Sequence, residues 1–255
     1  MFHPVSLSII IPAYNEEGNI RDACLDIARV AERYVSDYEI LVLDDASQDR
    51  TSEVVKSIQE TNPRILLFRN QANKGLGYNY RLGVAHARYD YVIMVPGDNE
   101  VGAESLRDAV QRIGTTNVIV CYASNPELRP FWRQVVSQAF TKLLNLLFRL
   151  KIRYYNGPSI IQTSLAKKFV SATSGFAYMA VLLVQLIKAG ASYQQVSFSL
   201  RSRQYGKTKA FRLKNILSVI KNIIFLFCKV YTQRRPALTI EAGLQPELQY
   251  QKLSR

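Results

Sequence analysis

Two carboxylates, Asp98 and Glu100, stand one residue apart in the stretch MVPGDNEV, directly after the apolar run Tyr91-Val92-Ile93-Met94-Val95. Oxygen ligands at the end of a strand suit a hard divalent cation. Mg²⁺ in particular takes one or two carboxylates and completes its shell with water and substrate phosphates. The alternative is a plain acidic turn. Two more polar clusters follow apolar runs in the same way: Tyr14-Asn15-Glu16 after residues 7–11, and Asp44-Asp45 after residues 38–43. A carboxylate in such a place accepts hydrogen bonds from base N–H or ribose hydroxyl groups. Capping of the next turn is its competing use.

Other chemistries are poorly supplied. The chain has only two histidines, His3 and His86, so His-based metal sites and Ser-His-Asp triads are disfavoured. Its three cysteines, Cys24, Cys121 and Cys228, lack metal-ligand spacing and read as reduced thiols. Neither G-x-G-x-x-G nor G-x-x-x-x-G-K-[ST] is present; Gly75-Leu76-Gly77 lacks a third glycine and reads as a tight turn.

The elements that must carry these clusters alternate. Strands are expected at 7–11 (stopped by Pro12), 38–43, 65–68, 91–95 and 118–121. Helices are expected at 16–35 with Asn15 as N-cap, from Asp49 through 58, from the 73–77 loop to about 87, and at 103–112. Continuous apolar strands between helices predict an α/β fold, a mostly parallel sheet covered on both faces. Ligands of such sheets bind beyond the carboxyl ends of the strands, where all three clusters fall.

Charge divides the chain. Residues 1–127 hold 18 acids and 12 bases, whereas residues 128–240 hold 19 Lys or Arg and no acid. The second half therefore offers neither a carboxylate base nor a carboxylate ligand, but it suits phosphate, in a substrate or at a membrane surface. Apolar residues at helical spacing (Val135, Val136, Ala139, Phe140, Leu143, Leu144, Leu147, Leu150) and again over 213–231 predict two basic amphipathic helices. Their apolar faces would lie in a membrane interface, pack on the sheet, or pair with a second copy in a homo-oligomer. No apolar stretch reaches spanning length. Nucleic-acid binding through the basic segment is disfavoured by those long apolar faces.

SIIIPAYNEEGNI, EILVLDDASQDRTSEVV, NKGLGYNYRLGVAHARYDYVIMVPGDNE and RSRQYGKTK occur in the order seen in family 2 glycosyltransferases of the GT-A fold. The chain most resembles the polyprenyl-phosphate branch typified by dolichyl-phosphate mannose synthase, over roughly residues 6–210. The resemblance implies a GT-A type, mixed and mostly parallel sheet with helices on both faces, as one domain over 1–211 with an amphipathic insertion at about 130–150. An interfacial helix at 212–231 and a polar tail at 232–255 would follow. It implies a nucleotide-sugar donor, a GDP- or UDP-sugar. Pro12, Ala13, Tyr14 and Glu16 would line the nucleoside pocket, with Asp45 facing the base, Asp44 beside it, and Lys74 and Gly75 near base or phosphate.

The family's metal motif is Asp-x-Asp, often with Gln two residues on. This chain has Pro96 for the first aspartate, Asp98 for the second and Glu100 for the Gln. Asp98 and Glu100 would thus hold Mg²⁺ or Mn²⁺. Where many relatives carry a glutamate base, this chain reads YMAVLL around Val181, and Asn156 replaces a frequent Asp. A phosphate acceptor is already ionised and needs cations in place of a base. Arg129, Arg133, Arg201, Lys207 and Lys209 are the candidates to hold it, and Arg203 with Asp98 to act in transfer. The implied activity is inverting transfer of a hexose to a polyprenyl phosphate by an enzyme peripheral to the cytoplasmic side of a membrane. Alternatives are a saccharide or glycolipid alcohol acceptor, or a non-catalytic nucleotide-sugar or membrane-binding protein.

Overall fold

The computed structural model describes residues 3–170, 177–201, 223–228, 230–231 and 251–252. Eight strands form one sheet: β1 (His3–Ala13), β2 (Val35–Asp44), β3 (Ile65–Arg69), β4 (Tyr91–Met94), β5 (Val118–Ala123), β6 (Ser159–Gln162), β7 (Tyr193–Phe198) and β8 (Gln251–Lys252). Their order is β7-β5-β6-β4-β1-β2-β3-β8. Pairings β3–β2–β1–β4 and β5–β7 are parallel, while β6 runs antiparallel to β4 and β5, and β8 antiparallel to β3. The chain thus departs from β1 to both sides, and the carboxyl ends of β1, β2 and β4, where sheets of this kind bind ligands, share one edge.

Alternation along β1 builds two cores. Ile9 and Ile11 face one side with Val42, Val55 and Ile27; Ile10 faces the other with Leu41, Leu82 and Val92. The first side is covered by α1 (Ile20–Tyr34), α2 (Thr51–Gln59) and α4 (Arg107–Val110). The second is covered by α3 (Leu76–His86), α5 (Phe131–Phe148), α6 (Thr163–Phe169) and α7 (Tyr178–Lys188). At Gly83 a Cβ would sit 2.6 Å from the Ile10 side chain, so a missing methyl group lets α3 lie against β1.

Several boundaries differ from the expectation. Pro12 does not stop β1, which continues to Ala13. Pro12 accepts from Gly97 through its carbonyl at 3.2 Å, and pairing with β4 has already ended at Ile10–Met94, so its missing N–H breaks no ladder. Asn15 caps no helix: its φ is 57°, its side chain accepts from Gln48 N at 2.8 Å, and α1 begins at Ile20. The helix expected at 103–112 is a 3₁₀ turn, Ala103–Leu106, followed by the single turn α4, and the Ser105 hydroxyl bonds back to the Gly102 carbonyl at 2.6 Å. Two residues of the expected polar tail form β8 beside β3. Of the expected helix 212–231, residues 223–228 and 230–231 are helical and the rest lies outside the described residues.

Cys24 and Cys121 are buried, and burial pushes both thiols up to about 12. Below that range they stay protonated and unreactive. Cys228 is exposed. A thiol reagent at pH 8 is therefore expected to label one cysteine in the folded protein and three after denaturation. Rapid labelling of two or three in the folded state would contradict this packing.

Candidate active site

The β1–α1 and β2–α2 loops are stitched together side by side. Asn15 N donates to the Ser47 hydroxyl (3.0 Å), Glu16 N to the Thr51 hydroxyl (2.8 Å) and Glu17 N to Asp49 (3.1 Å). In return Gln48 N donates to Asn15 and Arg50 N to Glu17 (3.1 Å). The Glu16 carboxylate accepts from Asn19 at 2.7 Å. Asp49 accepts from Thr51 N at 3.0 Å, but it stands one residue before the N-cap, which is Arg50, so the expected Asp49 cap is displaced by one residue. Left-handed backbone recurs in the loops after all three strands, at Asn15, Ala46 and Asn99. Asn tolerates this conformation, whereas Ala46 has no local compensation and stores about 1 kcal/mol.

Asp44 and Asp45 serve different purposes. Asp44 has no exposure; it accepts from Ser47 N (2.9 Å) and the Ser52 hydroxyl, and Arg69 lies 3.5 Å away. Its side chain is spent on the loop, which is the capping use, and it does not reach the crevice. Asp45, 4% exposed, binds the loop after β3: Oδ1 accepts from Asn70 Nδ2 and Lys74 N (both 2.8 Å), and Oδ2 from Gly75 N (2.9 Å). Gly75 has φ 87°, which favours glycine. Lys74 and Gly75 thus meet Asp45 through their backbone, and the Lys74 side chain is exposed. Asp45 N bonds to Ala13 O at 2.8 Å, so Pro12, Ala13 and Asp45 share one wall, with Tyr14 half-buried next along it.

The chain leaving β4 crosses that wall. Gly97 would place a Cβ 3.2 Å from Pro12 O, a close approach that brings Asp98 beside the end of β1. Asp98 Oδ1 accepts from Glu100 N at 3.2 Å, closing a small turn through Asn99. Glu100 O accepts from Arg201 N at 2.8 Å, and Val101 pairs with Leu200. Residues 200–201, within the acid-free basic stretch, therefore lie against the acidic turn. The Arg201 side chain crosses Gly102 and meets Asp26 at 3.1 Å. Arg203, Lys207 and Lys209 lie outside the described residues.

Arg129 belongs to the same edge, after β5. Its Nη1 donates to the Tyr154 hydroxyl at 2.7 Å, its guanidinium lies 5.6 Å from that ring, and its buried Nε has no hydrogen-bond partner among the described residues. An unsatisfied buried donor costs about 1–3 kcal/mol, which an anion there would recover. Arg133 is half-buried one turn into α5. Val181 is buried inside α7, so that helix brings no base to the crevice. Asn70 and Asn79 were not singled out by motif; Asn70 follows β3 as Asp44-Asp45 follow β2, which was the available signal.

The glycosyl transferase family 2 sequence profile matches residues 8–169, which hold both strand-end clusters and the Asp98 turn. The chain belongs to glycosyl transferase family 2. An uncharacterized protein of Methanocaldococcus jannaschii is 26% identical over 86% of this chain and 98% of its own length. A dolichyl-phosphate beta-glucosyltransferase of Trichomonas vaginalis is 33% identical over 42% of this chain. The alignment spans about a third of that relative's length, 35%. Among solved structures, Mycobacterium tuberculosis glucosyl-3-phosphoglycerate synthase with Mn²⁺, UDP-glucose and phosphoglyceric acid superposes with TM-score 0.65 at 14% identity, covering 98% of this chain and 86% of that one. A Pyrobaculum calidifontis mannosyltransferase with GDP-mannose and Mn²⁺ gives 0.59 at 15% identity, covering 88% and 70%. The family 2 chain thus has the GT-A fold expected from its motifs, and it is a glycosyltransferase.

Proposed function

We propose that this glycosyltransferase moves a hexose from a nucleoside diphosphate sugar to a polyprenyl phosphate at a membrane surface. What carries the reading is the bond from Arg201 N to Glu100 O, which holds part of the acid-free basic stretch 128–240 against the acidic pair. The dolichyl-phosphate beta-glucosyltransferase relatives support a lipid phosphate acceptor.

Asp98 and Glu100 would hold Mg²⁺ or Mn²⁺, the ion present in both structural neighbours above. The donor set fits a cation that arrives with phosphate: one Asp98 oxygen is already engaged by Glu100 N, and the described residues contain no cluster of three acid, His or Cys ligands. When bound, the cation neutralises charge on the departing diphosphate. Pro12, Ala13, Tyr14, Asp45 and the 74–75 backbone form the nucleoside wall. Arg129, held by Tyr154, and Arg133 would orient the acceptor phosphate, with Arg203, Lys207 and Lys209 as further candidates to hold it. The phosphate oxygen attacks the anomeric carbon as the bond to the diphosphate breaks, inverting the centre. No proton has to leave the nucleophile, so no carboxylate base is needed.

Exposed apolar residues support the membrane reading. Thr141, Leu144 and Phe148 of α5 face the core, yet Trp132, Val135, Val136, Leu143 and Leu146 form a second, exposed stripe, with Phe131 beside it. This corrects the expectation of a single apolar face. Ile224 and Phe225 are exposed as well, on a helical stretch whose Phe227 and Tyr231 rings pack on Phe148. Exposed Lys142, Arg149 and Lys151 flank the stripe. Such a surface suits an anionic leaflet. Among the described residues no helix is long and apolar enough to cross a membrane.

The deciding assay supplies purified protein with UDP- and GDP-hexoses, Mn²⁺, and either a prenyl phosphate or the matching prenol. Transfer to the phosphate alone is expected. Equal transfer to the neutral alcohol would defeat the mechanism. The two structural neighbours hold different bases, so the fold by itself does not choose the nucleotide.

A further inference from the structure

The loop that carries Arg129 and the acidic turn after β4 meet through one residue, Leu200. Strands β5 and β7 stay in register until Ala123 pairs with Phe198, and Ser124 N adds a bond to Phe198 O at 2.9 Å. The chain from β5 then leaves the sheet for a 3₁₀ turn, Pro126–Leu128, so its backbone no longer runs beside Leu200. The Asn125 side chain takes that place. Its Oδ1 accepts from Leu200 N at 2.7 Å, and its Nδ2 donates to Leu200 O at 3.0 Å. A side-chain amide offers an acceptor and a donor much as a peptide group does, so it can extend a ladder that the backbone has left. On its other side Leu200 bridges Val101. That bridge is flanked by Arg201 N to Glu100 O at 2.8 Å and by the Ser105 hydroxyl to Ser199 O at 3.1 Å. Residues 199–201 are thus held between Asn125 and the turn of Asp98 and Glu100, and Arg129 follows Asn125 by four residues.

We infer that Asn125 is a positioning residue for transfer: acting through Leu200, it sets the spacing between Arg129 and the Asp98–Glu100 turn. The inference rests on the reading above, in which Arg129 holds the acceptor phosphate and the turn holds a cation with the donor diphosphate. Reacting atoms must come within about 3–3.5 Å, and a misplacement of about 1 Å can cost about 10²-fold in rate. Leu200 and Val101 are 5% and 6% exposed, so a shift of one is passed to the other through close packing. A side chain that only satisfied the Leu200 backbone would bear on stability and leave the rate of the bound complex alone.

The test compares Asn125→Ala with Ser124→Ala in the full chain. Ser124→Ala removes hydroxyl contacts to Phe198 O and Ser199 Oγ at 3.1 and 3.3 Å, one residue earlier, and leaves the Leu200 bonds in place. Transfer from UDP- and GDP-hexoses with Mn²⁺ to a prenyl phosphate is measured beside nucleoside diphosphate binding by calorimetry. Asn125→Ala is expected to lower kcat at least about tenfold while nucleotide affinity stays as in the natural chain. Ser124→Ala is expected to keep both. Should Asn125→Ala not fold, Asn125→Asp carries the test: it keeps the acceptor for Leu200 N, loses the donor to Leu200 O, and should lower kcat in the same way. An unchanged kcat in the Asn125 variant, an equal fall in Ser124→Ala, or a loss of nucleotide affinity matching the loss of rate overturns the inference and leaves the donor and acceptor reading standing. Failure of the natural chain to transfer to any prenyl phosphate overturns that reading, and the inference with it.

Discussion

Asp98→Asn is expected to lower kcat by about 10²–10³-fold, the range seen when one group stabilising developing charge is removed. Asn keeps the side-chain oxygen that accepts Glu100 N, so the turn through Asn99 should survive. What disappears is the negative charge, and with it one of the two candidate carboxylate ligands. The fall should appear in kcat more than in the KM for donor, and extra Mn²⁺ should restore part of it. Glu100→Gln should cost less, because a Gln oxygen can still ligate a cation when Asp98 supplies the charge. An unchanged kcat in Asp98→Asn would remove the Asp98 turn from the chemistry altogether. Equal folded stability of both variants, read by thermal melting, keeps the comparison clean.

The second large effect concerns the exposed stripe of α5. Phe131 and Leu146 are 79% and 78% exposed, so replacing both with Ser should leave the fold intact. Each large apolar side chain contributes about 1.5–3 kcal/mol when fully buried. Losing two therefore removes about 3 kcal/mol at the low end, roughly a hundredfold in partitioning to vesicles containing anionic lipid. Raising salt should weaken binding of the natural chain further through Lys142, Arg149 and Lys151. Transfer to a short, water-soluble prenyl phosphate should persist in the double variant. Undiminished sedimentation with vesicles would assign the stripe to another partner.

Sequence patterns foretold the sheet and its edge better than they foretold side-chain use. Buried parallel strands are continuous apolar runs, so residues 38–43, 65–68 and 91–95 were plain, and the clusters after them had to share an edge. Asn15 misled because a short amide serves a helix cap or a neighbouring loop equally well, and the choice lies with Ser47 and Gln48, 32 and 33 residues away. Asp44 and Asp45 are adjacent and chemically identical, yet Ser52 buries one and Asn70 engages the other. Helical periodicity marked α5 but could not say which apolar flank would be covered, since that depends on how Leu144 and Phe148 meet the sheet.

The order of strands also fixes a schedule of synthesis. Strands β4-β1-β2-β3 and helices α1–α3 use only the first 94 residues, so this block, with the whole Asp45 clamp, can assemble while the rest is still being made. Its two flanks would then be bare. The β4 flank is closed by β6, about 65 residues later, and the β3 flank by Gln251 and Lys252, later still. An open strand edge is a template for pairing with other chains. The nascent protein is thus most prone to aggregation between completion of β4 and arrival of β6, and truncation before residue 159 should yield an aggregating product rather than a free nucleotide-binding half.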